Sequence, residues 1–94
     1  MVSQFIKLHQ NRPIDVELPG PEGIKHVSVY IRDYVIKQTS KGFEYNYFVV
    51  DIVRKDDISY LTNNILFDYV DKRLEDYLKI FSIEENIEFE YHII

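Results

Sequence analysis

Ninety-four residues with 46% apolar content exclude a disordered chain and leave room for one small domain, residues 1–94. The absence of cysteine excludes disulfides, thiolate metal sites and cysteine nucleophiles together, so stability rests on packing or self-association. A formal net charge of −5 argues against non-specific phosphate binding, which runs on clustered Lys and Arg.

The charge is uneven. Residues 1–55 carry eight Lys/Arg against six Asp/Glu, whereas residues 56–94 carry three against ten. The first twenty residues lack an apolar h-region, and the longest purely apolar run, residues 47–50, is four residues. A soluble, cytoplasmic protein without membrane contact is expected. There is no Ala and no Trp, but thirteen Ile and eight Tyr, a bias that accompanies AT-rich genomes such as those of phages and mobile elements.

In chain order, residues 4–9 (QFIKLH) read as a short first strand. Ile14, Val16 and Leu18 alternate with Asp15 and Glu17, the period-two signature of a half-buried strand. LPGPEG, residues 18–23, concentrates proline and glycine into a turn or wide loop. Residues 25–54 form one long hairpin, two β-branched and aromatic runs around TSKG, with Gly42 supplying the positive φ of a tight loop. From about residue 64 to 81 the period becomes helical: Leu66, Val70, Leu74, Tyr77 and Phe81 share one stripe. Leu61 falls outside that stripe, so residues 58–62 precede the helix, and Asp57, Ser59 and Thr62 are candidate caps. Ile87, Phe89, Tyr91 and Ile93 alternate with Glu88, Glu90 and His92 in a last strand. The expected fold is a single α+β domain of order β-β-β-β-α-β, a mostly antiparallel sheet with one amphipathic helix on one face.

Alternation sorts the hairpin into two faces. The first arm holds Val27, Val29, Ile31 and Val35 on one face and Tyr30, Tyr34 and Ile36 on the other; the second holds Phe48, Val50 and Ile52 on one face and Phe43, Tyr45, Tyr47, Val49 and Val53 on the other. A two-residue Lys41-Gly42 turn places Val35 beside Phe48, Tyr34 beside Val49 and Arg32 opposite Asp51; a three-residue bulged loop exchanges the pairing. Under either register both faces are substantially apolar, and a single helix covers only one. The tyrosine face is then covered by the N-terminal strands, by curling of the sheet, or by a partner. Tyrosine suits the last, combining contact area with a hydroxyl that tolerates water. The expected partner-binding residues are Tyr30, Tyr34, Tyr45, Tyr47 and Val49, with Arg32 and Asp51 fixing the register.

KGFEYNYF, residues 41–48, meets the aromatic octapeptide of RNA-recognition modules at Lys41, Gly42, Phe43, Tyr45 and Phe48. It departs from it at Glu44 and Asn46. The helix that precedes the strand pair in those modules has no counterpart upstream of Lys41. The alternative reading that remains is a single-stranded nucleic-acid binder, Phe43 and Tyr45 stacking and Arg32, Lys37, Lys41, Arg54 and Lys55 along phosphates.

His9, His26 and His92 fall on three separate expected strands without ligand spacing, and no serine lies in an elbow-like setting. No catalytic residue, metal site or cofactor is expected. Asp68, Asp71, Glu75 and Asp76, with Glu84, Glu85, Glu88 and Glu90 beyond, form an acidic cluster that reads as a solvated face or as a phosphate-mimicking surface. The function expected is a non-enzymatic protein-binding module. It would associate with itself as a homodimer or act as an inhibitor or adaptor of another protein.

Overall fold

A computed structural model of the chain describes residues 2–83 and 87–94. The fold is a small α+β domain of order α-β-β-β-α-β: α1 (Val2–Asn11), β1 (Ile14–Gly20), β2 (Gly23–Gln38), β3 (Glu44–Arg54), α2 (Asn63–Ile80) and β4 (Glu88–Ile93). The strands form one sheet in the order β1-β2-β3-β4. The first three are antiparallel neighbours, and α2 carries the chain over to β4, which lies parallel to β3.

The first element corrects the sequence reading: residues 4–9 belong to a helix. Val2, Phe5, Ile6 and His9 fall at i, i+3, i+4 and i+7, which is a single helical stripe. Phe5 is fully buried, its ring 5.4 Å from both Phe48 and Phe81. The helix stops before Pro13, whose ring disfavours helical geometry in the preceding residue. There His9 Nδ1 donates to the Arg12 carbonyl at 3.0 Å.

β1 alternates buried and exposed as its pattern requires, with Ile14, Val16 and Leu18 each 1% exposed. The proline–glycine stretch is a tight two-residue turn, since Gly20 pairs directly with Gly23. A Cβ on Gly20 would stand 2.5 Å from the Gly23 carbonyl oxygen, so only glycine admits this approach.

The central hairpin takes the three-residue loop. Thr39 N–H donates to the Phe43 carbonyl at 2.7 Å and Gly42 N–H to the Thr39 carbonyl at 3.0 Å, with Gly42 at φ +85°. Gln38 therefore pairs with Glu44, Tyr34 with Phe48 and Val35 with Tyr47, one step from the register of the shorter turn. A bulge at Arg32 then shifts the pairing again, so that Ile31 meets Val50.

Thr62 caps α2, its hydroxyl accepting from Ile65 N–H at 3.3 Å, and residues 58–61 precede the helix as the stripe implied. At the other end Ser82 takes φ +56°, while Ser82 N–H reaches the Lys79 carbonyl and Ile83 N–H the Leu78 carbonyl. This paired cap buries Ile83 beside Leu78.

Both helices lie on the same side of the sheet. Phe5 of α1 and Leu66, Val70, Leu74 and Leu78 of α2 share one core with Val27, Val29, Ile31, Phe48, Val50 and Ile52. On β4, Phe89, Tyr91 and Ile93 face that core, and Phe67 of α2 stacks on Tyr91 at 4.5 Å. Among the described residues no helix is long and apolar enough to cross a membrane.

Candidate functional site

The outer side of the sheet carries the other half of each strand's alternation. Cross-strand pairing sets Tyr30 beside Asp51, Asp33 beside Val49, and Val35 beside Tyr47. Beyond them, β4 turns Glu88, Glu90 and His92 outward. Tyr30, Val35, Tyr47, Val49 and Val53 are half-buried and take no part in the core. The N-terminal segment, expected among the strands that could cover this face, is instead α1 on the opposite side.

Of the residues expected to form the surface, the structure brings Tyr30, Tyr47 and Val49 together on the outer side, with Tyr45 stacked beside Tyr47 at 6.3 Å. Tyr34 does not join them. The extra residue at Arg32 reverses the alternation of everything beyond it on β2, so Tyr34 turns inward, its ring 4.9 Å from Phe48. By the same reversal Val35, expected on the core side, lies outward beside Tyr47.

Arg32 and Asp51 do meet. An Arg32 terminal nitrogen lies 2.7 Å from Asp51 Oδ2, although the residue directly opposite Asp51 is Tyr30. Asp51 is 7% exposed, and its Oδ1 has no partner among the described residues. The guanidinium therefore carries most of the compensation for a carboxylate removed from water. Lys37 Nζ sits 5.8 Å from the centre of the Tyr47 ring. Hydrogen bonding to the Tyr47 side chain, ahead of charge interactions with Tyr47 and Tyr45, raises the Lys37 pKa above its ordinary 10.5.

The hairpin end projects past the helices: Ile36 belongs to the core side yet is 58% exposed, and Phe43 at the loop is 69% exposed. Asn46, opposite Ile36, is half-buried on that side, its Oδ1 without a partner among the described residues. The cations invoked for nucleic acid are dispersed. Lys37 and Lys41 lie at the loop end, while Arg54 and Lys55 lie at the far end of β3, roughly 30 Å away at strand rise. Glu90 and Asp33 intervene on the same face.

The acidic cluster is divided in space. Asp68, Asp71, Glu75 and Asp76 ride on α2, whereas Glu88 and Glu90 point from the opposite side of the sheet. Glu84 and Glu85 lie outside the described residues. Desolvation first, then the charges of Glu75 and Asp68, raise the Asp71 pKa above 3.8.

The histidines also separate. His9 is not on a strand but on α1, 6% exposed and edge-on to Phe5 and Tyr77. His92 contacts Glu90 at 3.1 Å. His26, opposite Glu17 on β1, places Nδ1 3.1 Å from the Asp15 carboxylate. One ligand atom from each of Asp15, Glu17 and His26 lies within 4.8 Å of the others, a mixed nitrogen and oxygen set able to coordinate a divalent cation. Sequence reasoning missed this grouping. Its signal was Asp-x-Glu on a strand with a two-residue turn, which returns His26 to the same face.

No protein family, no curated protein and no solved structure matches the chain.

Proposed function

We propose that the chain is a non-enzymatic protein-binding module that self-associates, and that the outer face of its sheet is the binding surface. The observation that carries this reading is the placement of both helices on one side, which leaves Tyr30, Val35, Tyr47, Val49 and Val53 without a covering layer among the described residues. A sheet face built to stay in water alternates to polar side chains; this one retains tyrosines and valines along its centre. The charge in its middle is already neutralised within the chain, because Arg32 closes on Asp51. An apolar partner can therefore cover Tyr30 and Tyr47 without stranding the Asp51 carboxylate between them. The dispersed cations and net charge of −5 favour protein over nucleic acid.

Light scattering behind size-exclusion chromatography, across a concentration series, tests self-association. A mass rising to twice the 11.3 kDa of the chain is expected; a single-chain mass at every concentration removes that part of the reading. A photo-crosslinking amino acid in place of Tyr47 tests the face, with one in place of Asp76 on α2 as the control. Adducts to protein at position 47 and none at 76 are expected, and the reverse refutes the surface.

A further inference from the structure

The two edges of the sheet are finished differently. β1 is sealed: Pro19 has no N–H to present, the Pro19 carbonyl accepts from the Tyr60 hydroxyl at 2.7 Å, and the Asp15 carbonyl accepts from Arg73 Nε at 3.3 Å. Its inward residues Ile14, Val16 and Leu18 are each 1% exposed even though β1 is an edge. β4 is not sealed. Among the described residues no strand lies beyond it, and its inward Phe89, Tyr91 and Ile93 remain only half-buried. The Tyr91 hydroxyl oxygen is buried and has no partner among the described residues. A strand edge in this condition is a template for another strand.

The residues of β4, EFEYHI, identify the occupant. Residues directly opposed in an antiparallel pair share a face. A two-fold axis passing between Tyr91 and the Tyr91 of a second copy therefore sets Glu90 opposite His92 and Phe89 opposite Ile93, each twice by symmetry. The carboxylate–imidazole pairs fall on the outer side, and the apolar pairs continue the core. One register thus satisfies both faces of the strand.

We infer that two copies join β4 to β4 in antiparallel fashion, giving one continuous eight-stranded sheet with the two outer faces side by side. The contact rests on the reading that the chain self-associates, and it closes as a symmetric dimer without leaving the same edge free.

The test is light scattering on the full chain carrying Glu90→Lys, His92→Glu, the exchange pair Glu90→His with His92→Glu, or Tyr47→Asp. Circular dichroism confirms the fold of each variant. His92→Glu puts two carboxylates opposite one another and Glu90→Lys removes the acceptor facing the imidazole, and each is expected to weaken dimerisation about tenfold or more. The exchange pair restores it. A dimer indifferent to both single changes overturns the edge contact, as does an exchange pair that stays dissociated. If Tyr47→Asp alone dissociates the dimer, copies meet through the outer face and self-association stands without the edge. A wild-type chain of single mass at every concentration removes self-association and the edge contact together.

Discussion

Tyr47 and Phe48 are adjacent in sequence and opposite in consequence, which makes them the sharpest probe of the two-faced sheet. Phe48 of β3 is 0% exposed where α1, β2 and β4 meet, with the rings of Tyr34, Phe5 and Phe89 at 4.9, 5.4 and 6.0 Å. Truncating such a ring removes its transfer free energy and leaves a cavity, so Phe48→Ala costs about 3–5 kcal/mol. A chain of 94 residues holds roughly 5–14 kcal/mol in total. The variant's melting temperature accordingly falls by about 12–40 °C. Tyr47→Asp opens no cavity, because that ring lies outside the core on the uncovered face. It forfeits strand propensity, a matter of about 1 kcal/mol, and its melting temperature drops by only about 4–8 °C. Urea unfolding of the two variants in parallel measures both. Equal destabilisation would refute the argument, for it would mean that the tyrosine face is covered from within the chain.

Three further outcomes follow from local geometry. Ser82→Gly is expected to stabilise the chain by about 0.5–1 kcal/mol, read by urea unfolding, since a serine at φ +56° in the cap of α2 bears a strain that glycine lacks. Gly42→Ala is expected to cost about 1–2 kcal/mol although nothing among the described residues lies within 4 Å of the added carbon, because the penalty resides in φ +85° alone. Asp71 has its pKa raised in the fold, so it favours folding below its unfolded value of 3.8 and loses that contribution as pH climbs through the raised folded value. Asp71→Asn should accordingly melt higher than wild type at neutral pH and match it well below pH 3.8; an unchanged difference across that window would contradict the assignment.

Much of the fold was legible because it is written between near neighbours. The alternation of Ile14, Val16 and Leu18, the stripe from Leu66 to Phe81 and the glycine of the hairpin loop each report a local period or a local dihedral. The outer residues Tyr30, Tyr47 and Val49 were legible for the same reason. Residues 4–9 were not, because a stretch so short satisfies strand composition and a helical stripe at once. Contact of Phe5 with Phe48 and Phe81 decides between them.

Tyr34 shows where local reading ends. One inserted residue at Arg32 carries no signature of its own, yet it reverses every side chain beyond it and moves a tyrosine from the expected surface into the core. Glu88 and Glu90 parted from the carboxylates of α2 for a related reason, since proximity in sequence does not state which side of a sheet a strand turns outward. Periodicity thus determined which elements exist and which residues share a face. Pairing between distant segments, which selects one register by burying the larger apolar set, decided which face became the core and which was left open.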